Sequence, residues 1–425
     1  MRLTRMNRSS KLRALSMTAL AIAVSAPSAR AQWSDVHEQF YLPASHNWVF
    51  RDNYAGADRL FNGFDYGHAI LYETLYTRPS APTSVLEEEI FDRLTNHILV
   101  NPPRLPLEEA AIEIEYAKLA PEAKVMFDWA HILHRQIYDV LGDERIPDHE
   151  KDARVAELLD YYRSRPDIAF SSSPKTMELM EGQHYSTVFR NRYPKFNGLI
   201  WAYHWLQIGL YEPLLAGATP TERRTGVGAT VARFWQMIEE APANMPRVMP
   251  MTAAVAPAFA ARFPEAAIIF DNLHSMHDVV SDILASPDVP REQKRAEILR
   301  AAERYRDDSS FLMTEQEWRE MAVGMGVHNM GGAAVGVLSP LPEATLERGA
   351  VMDHAAHAAP TAAPTQPDAT GAAAARTVDL LMRLLGDQAT KDRIAADPAT
   401  RALVLELIEM LPEEHRAHLR MMLEG

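Results

Sequence analysis

Apolar residues recur at three- and four-residue spacing through most of this chain, and this periodicity limits the folds that it can adopt. Residues three and four apart lie on one face of an α-helix, whereas the alternation typical of a half-buried strand is scarce here. Several periodic segments begin at or just after a proline, as at Pro121, Pro194 and Pro264, because the fixed φ of proline suits the first helical turn. The sequence therefore predicts an all-α, multi-helix bundle. The expected helices are Ala57–Tyr76, Val85–Leu99, Leu107–Leu119, Glu122–Leu141, Lys151–Arg163, Lys175–Arg192, Lys195–Ala216, Thr221–Glu240, Glu265–Ala285, Arg291–Arg306 and Thr314–Met321.

The first 31 residues have the layout of a cleavable secretory signal peptide. Basic residues from Arg2 to Arg13 precede the apolar run Ala14–Ala26, and Ala29-Arg30-Ala31 places small residues where a signal peptidase cuts. We therefore expect export to the periplasm or secretion, with cleavage before Gln32. Composition divides the remainder into a main helical domain at 32–341, an Ala-, Pro- and Thr-rich linker at 342–375 and a small helical segment at 376–425.

The chain has no cysteine, which excludes several kinds of site. Disulfides, c-type haem attachment, iron–sulfur clusters and cysteine nucleophiles all require sulfur that it lacks. The net charge is −14, and it falls to about −20 once the signal peptide is removed, because that segment carries basic residues and no acidic ones. Such a charge disfavours nucleic acid and favours cations or a basic protein partner. No membrane span is expected after processing, since no other apolar stretch is long enough.

A fifteen-residue pattern occurs twice in the predicted helices. Both Phe127–Leu141 and Phe270–Leu284 read F-D-x-x-H-x-x-H-x-x-[IV]-x-D-[VI]-L. A shorter copy, Phe64–His68, contains Asp65 three residues before His68, and a fourth segment has Glu181 three residues before His184. This internal repeat indicates that carboxylate and histidine side chains share one face in several helices.

Inward-facing carboxylate-x-x-His units are the means by which helical bundles build di-iron and di-manganese sites. Imidazole together with carboxylate suits Fe, Mn or Zn. We therefore expect an exported metalloprotein that binds one of these metals, an oxidoreductase using dioxygen or peroxide if the site is di-iron, or a hydrolase if it holds zinc. The first expected ligands are Asp128, His131, Asp271 and His274. Further candidate ligands are Asp65, His68, His134, Glu181, His184 and His277.

Two other histidines are candidates for contact with a cofactor. His204 lies in the aromatic segment Trp201–Trp205, and His328 lies in the glycine-rich stretch Gly324–Leu338. Such residues leave open a non-covalent haem b held by two histidines, with electron transfer as the function. A third interpretation is a non-enzymatic periplasmic scaffold or partner protein in which the Asp–His pairs are structural. The serine-hydrolase, P-loop and H-E-x-x-H motifs are absent from the sequence.

Overall fold

The computed structural model describes residues 48–106, 109–181, 187–239 and 241–334, together with isolated positions from 401 onward. Contacts divide the chain into two units, Met1–Met352 and Asp353–Gly425, and every element named below belongs to the first. The predicted signal peptide and linker, and most of the predicted C-terminal segment, lie outside the described residues. Among the described helices, none has both the length and the apolar character needed to cross a membrane.

The described part of the chain is all-α, which confirms the predicted fold class, and the only extended pairing within it is an isolated bridge between Lys175 and Leu312. The first helices are α1 (Val49–Asn53), α2 (Ala55–Thr77), α3 (Thr83–Asp92), α4 (Ile114–Leu119), α5 (Pro121–Gly142) and α6 (Asp148–Arg163). They are followed by α7 (Met177–Glu181), α8 (Val188–Arg192), α9 (Pro194–Gly209), α10 (Tyr211–Ala216) and α11 (Pro220–Glu239). The last are α12 (Thr252–Val255), α13 (Pro257–Arg262), α14 (Pro264–Ala285), α15 (Arg291–Arg306) and α16 (Glu315–Met325). A π-helix spans Arg93–Ile98, and 3₁₀ turns span Glu109–Ala111 and Val327–Met330.

Some predicted helices are interrupted. The segment predicted as Lys195–Ala216 forms α9 and α10, which meet at Leu210. Pro213 has no N–H to bond the carbonyl of Gly209, and its ring crowds that carbonyl, so the first helix ends there. The segment predicted as Lys175–Arg192 contains α7 and α8, and the residues between them lie outside the described ranges.

Most elements of residues 49–163 recur in the same order in residues 188–306, and we call these two segments the first and second halves. Helices α1 and α8 both begin Val-Phe-Arg. Helices α5 and α14 both begin with proline at the first turn and have 22 residues. Helices α6 and α15 both have 16 residues and follow a proline cap. The fifteen-residue pattern is therefore one part of a duplication that covers most of the described fold.

Carboxylates from neighbouring helices cap short helices in equivalent places in both halves. Asp139 accepts hydrogen bonds of 2.8 Å from two backbone N–H groups at the start of α1. Its counterpart Asp282 accepts one of 2.6 Å from the first turn of α8. Glu73 and Glu212 similarly accept backbone N–H groups at the starts of α4 and α13. The second aspartate of the repeated motif therefore holds a helix terminus, which is a structural function.

Candidate metal centre

Four helices, α2, α5, α9 and α14, place histidines in the interior between the two halves. The equivalence of the halves extends to the bonds that join them, since Tyr72 donates to the backbone carbonyl of His277 and Tyr211 to that of His134. Every buried histidine on these helices is at most 2% exposed. The set consists of His68 on α2, His131 and His134 on α5, His204 on α9, and His274 and His277 on α14.

Three of these side chains form what we call the histidine group, His68, His204 and His277. Nε2 of His204 lies 3.3 Å from Nε2 of His68 and 3.2 Å from Nδ1 of His277. A ring nitrogen has a single in-plane position for a proton or a lone pair, so Nε2 of His204 cannot form well-aligned hydrogen bonds with both neighbours. A nitrogen of His131 also lies within 4.8 Å of ligand nitrogens of His68 and His277. His68, His131 and His277, from α2, α5 and α14, thus have ligand nitrogens within 4.8 Å of one another, and His204 adds a fourth imidazole from α9.

Burial keeps the histidine group neutral at physiological pH. Burial first, and then the neighbouring His131, lower the pKa of His68 to about 3. Burial and the surrounding imidazoles lower the pKa of His204 and of His277 well below its usual range. Neutral imidazole is the form that ligates metal ions. Nδ1 of His204 has no hydrogen-bond partner, whereas the His68 ring is held by a hydrogen bond with the backbone of Phe64.

A second cluster, which we call the carboxylate group, consists of Asp65, Glu109 and His131. Nδ1 of His131 lies 3.4 Å from Oε1 of Glu109 and 3.7 Å from Oδ1 of Asp65. One ligand atom from each residue lies within 4.8 Å of the other two, and all three residues are buried. Two carboxylates with one imidazole form a donor set that suits a first-row divalent ion.

Two buried cations accompany these carboxylates. Nη2 of Arg135 donates to Oδ2 of Asp65 at 2.6 Å. Lys124 forms an ion pair with Asp128 one helical turn later. Burial lowers the pKa of Lys124, but the charges of Asp128 and neighbouring glutamates outweigh burial and raise it overall. The ammonium group therefore stays charged and compensates part of the local negative charge.

Glu113 adds another carboxyl beside the carboxylate group. It is 1% exposed, and neither of its carboxyl oxygens has a hydrogen-bond partner. Burial, followed by the charge of Glu109, raises the pKa of Glu113 well above its usual range. This side chain is thus buried without the hydrogen bonds that buried carboxylates normally make.

His134 and His274 lie beside the histidine group without belonging to either cluster. The ring of His274 stacks on that of His204 with centroids 4.1 Å apart, and neither of its nitrogens has a hydrogen-bond partner. Nδ1 of His134 lies 2.7 Å from the hydroxyl of Tyr211, and its ring stacks on Phe270. These two imidazoles surround the site and help to exclude water from it.

Two of the four residues expected first as ligands make other contacts. Asp128 pairs with Lys124. Asp271 accepts hydrogen bonds from the backbone N–H and the hydroxyl of Thr252, at 3.0 and 2.6 Å, and from Nε1 of Trp318 at 2.8 Å. Burial raises the pKa of Asp271 to about 7. Asp271 thus caps the start of α12, and neither aspartate is part of the histidine or carboxylate group.

The remaining predicted residues lie away from these groups or outside the described positions. His328 is exposed in the 3₁₀ turn Val327–Met330. Glu181 ends α7, but its side chain is outside the described set, as is the whole of His184. Glu109 and Glu113 were not expected at the site. No spacing rule connects them to the helical motifs. The only sequence signal is that other acidic residues lie near them in the chain.

Comparisons with protein-family models, with curated proteins and with solved structures found no match for this chain. Its interpretation therefore depends on the geometry of the buried site.

Proposed function

We propose that this chain is an exported metalloprotein that holds a transition-metal ion, Fe, Mn or Zn, in the histidine group. Three side chains from three helices, His68, His204 and His277, would supply the ligands. The observation that carries the proposal is the pair of short nitrogen–nitrogen distances at Nε2 of His204, 3.3 and 3.2 Å.

Each of those two distances agrees with the spacing of one pair of ligands on a tetrahedral ion. With metal–nitrogen bonds of about 2.0–2.1 Å, two ligands of such an ion lie roughly 3.3 Å apart. A purely structural network accounts for the same atoms less well, because one nitrogen would need two hydrogen bonds along a single direction.

A bare ion fits these residues better than haem b does. Axial imidazoles approach a haem from opposite faces, so the macrocycle must separate them. Here the rings of His68 and His277 stack with centroids 4.2 Å apart, and those of His204 and His274 stack at 4.1 Å. Such spacings are those of direct ring contact, so a porphyrin does not fit between these stacked histidines.

The burial of the site bears on the type of chemistry. Ligands that are at most 2% exposed suit electron transfer or reaction with a small oxidant such as dioxygen or peroxide. Hydrolysis of a large substrate would require an open coordination position that the substrate can reach. We therefore propose an oxidoreductase function, in which the surrounding apolar residues keep water from the metal.

Metal analysis of the purified mature protein, together with its absorption spectrum, tests the proposal. We expect at least one transition-metal ion per chain and no Soret band. His204→Gln should remove most of the metal, because Gln has a similar size but lacks the imidazole. The matched control is His97→Gln/His149→Gln, since those side chains are 70% and 81% exposed. A wild-type protein without metal, or a His204→Gln variant that keeps more than half of it, would contradict the proposal.

A further inference from the structure

We propose that the carboxylate group is a second metal site, which takes a hard divalent ion such as Mn²⁺ or Fe²⁺ next to the ion of the histidine group. The ligands would be one oxygen each of Asp65 and Glu109 together with Nδ1 of His131. This deepens the proposed function by making the centre dinuclear, but its ligands differ from those of the first ion.

The geometry brings donors from three separate elements to one place. Asp65 comes from α2, Glu109 from a 3₁₀ turn and His131 from α5. The nitrogen–oxygen distances of 3.4 and 3.7 Å are near the spacing of two ligands on one first-row metal ion. Oxygen-rich donor sets with an imidazole favour Mn²⁺ or Fe²⁺ over softer metals.

The local charge also favours a cation. Four buried carboxyl groups, Asp65, Glu109, Glu113 and Asp128, lie in this region, and two buried cations, Lys124 and Arg135, accompany them. Carboxylates in a dry environment are stabilised mainly by opposite charge or by hydrogen bonds. The pKa of Glu113 is raised well above its usual range, but Asp65, Glu109 and Asp128 still outnumber the two cations, and a divalent ion would balance this excess.

Glu113 provides an independent indication of a ligand. Both of its carboxyl oxygens are buried without a hydrogen-bond partner, and Glu109 is its strongest charged neighbour. Buried polar groups are almost always satisfied in native proteins, so an exception commonly marks a missing ion or water. Glu113 is thus a buried, unpartnered carboxyl group that interacts electrostatically with a residue of the carboxylate group.

The two halves of the chain give an internal control for this interpretation. The segment that begins at Glu109 has its counterpart at Thr252, and Glu113 corresponds to Ala256. Lys124 corresponds to Ala267 in the same alignment of α5 with α14. The second half builds the same helices with neutral side chains at all three positions. The shared fold therefore forms without the two glutamates, which favours binding as their function, whereas Lys124 is accounted for by its ion pair with Asp128.

Sequential metal loading tests the second site. The full mature chain is stripped with chelator, given one equivalent of Zn²⁺ and then an excess of Mn²⁺, because excess Zn²⁺ would fill both sites. It is then separated from unbound ions and analysed for both elements. We expect one Zn²⁺ and one Mn²⁺ per wild-type chain. Glu109→Gln should weaken Mn²⁺ binding at least tenfold and retain Zn²⁺, because the amide keeps the shape but loses the charge. Glu115→Gln is the matched control, since this residue lies on the neighbouring α4 and pairs with Lys118 at the surface.

The outcomes separate the two proposals. If wild-type protein binds Zn²⁺ without Mn²⁺, or if Glu109→Gln binds Mn²⁺ as tightly as wild type, the second site is refuted and the histidine site remains. If Mn²⁺ binds in a Glu109-dependent manner but Zn²⁺ does not bind, the second site is supported and the histidine site is refuted. The wild-type stoichiometry alone decides the matter if a variant fails to fold.

Discussion

Gly67 precedes His68 in α2 and lies directly against the phenol ring of Tyr203. A Cβ atom at Gly67 would lie 2.7 Å from Cε2 of Tyr203 and 3.2 Å from its hydroxyl oxygen. Tyr203 cannot move aside easily, because it is 0% exposed and stacks on Phe64 with ring centroids 4.3 Å apart. We therefore predict that Gly67→Ala destabilises the fold and disturbs the adjacent His68, the proposed metal ligand.

Two opposing effects set the magnitude. Replacing glycine by alanine inside a helix normally stabilises by about 0.5–1 kcal/mol. Overpacking of a tightly filled core costs about 1–3 kcal/mol. At Gly56 and Gly228 nothing lies within 4 Å of an added Cβ, so their alanine variants report the helix effect alone. We expect the free energy of unfolding of Gly67→Ala to be lower than those of both controls by roughly 1–3 kcal/mol.

Urea unfolding followed by far-ultraviolet circular dichroism measures this difference, and metal content is measured on the same samples. The Gly67→Ala sample should also retain less metal at equal total concentration, because the added methyl group displaces α2 or α9 at the histidine group. Equal stability of Gly67→Ala and Gly56→Ala would refute the packing argument. Unchanged metal content in a clearly destabilised variant would show that the structural shift that relieves the clash does not reach His68.

Two further predictions concern buried charges. Burial raises the pKa of Asp271 from 3.8 to about 7 in the folded state, so the folded protein binds this proton more tightly than the unfolded chain does. The resulting stabilisation is full below about pH 4 and is lost as the pH rises towards 7. Asp271→Asn should reduce the decline in the free energy of unfolding over this pH range by up to roughly 4 kcal/mol and leave the metal content unchanged. If the variant and the wild type have parallel pH profiles, the raised pKa of Asp271 is contradicted. Lys124→Met should destabilise by about 3–5 kcal/mol in urea unfolding because it leaves Asp128 buried without its cation, whereas the exposed control Lys118→Met should change stability by less than about 0.5 kcal/mol. Similar stability of the two lysine variants would mean that Asp128 is neutral in the folded protein.

Helix periodicity and proline positions predicted the main helices to within a few residues. The segment Arg291–Arg306 was predicted with the bounds that α15 has, and Glu265–Ala285 falls one residue short of α14. These predictions succeed because the apolar stripe and the proline at the first turn are local features of the sequence. The break at Leu210 was not predicted, because the apolar pattern continues through Pro213. The helical hydrogen bond to the carbonyl of Gly209 cannot form, however, since proline has no N–H.

The histidines of the site were easier to predict than its carboxylates. His68, His131 and His277 stood out because a repeated spacing places them on helical faces, and the structure brings them within reach of one another. Helical spacing also grouped Asp271 with the ligands, but a side chain on an inward face can bond to a neighbouring helix terminus instead. Glu109 reaches the site through tertiary packing of a 3₁₀ turn, which no local pattern encodes.

The duplication has a consequence for how the centre acquired its present composition. A dimer of identical chains with this architecture would place the same residue on both sides of its central site, so a glutamate added on one side would appear on the other as well. Joining two copies in one chain removes that constraint. Glu109 and Glu113 occupy one side, while Thr252 and Ala256 stand at the matching positions of the other. The linked halves can therefore keep a common scaffold while only one of them becomes acidic. A site between the halves could then bind two different ions, whereas a site between two identical chains would bind two ions of the same kind.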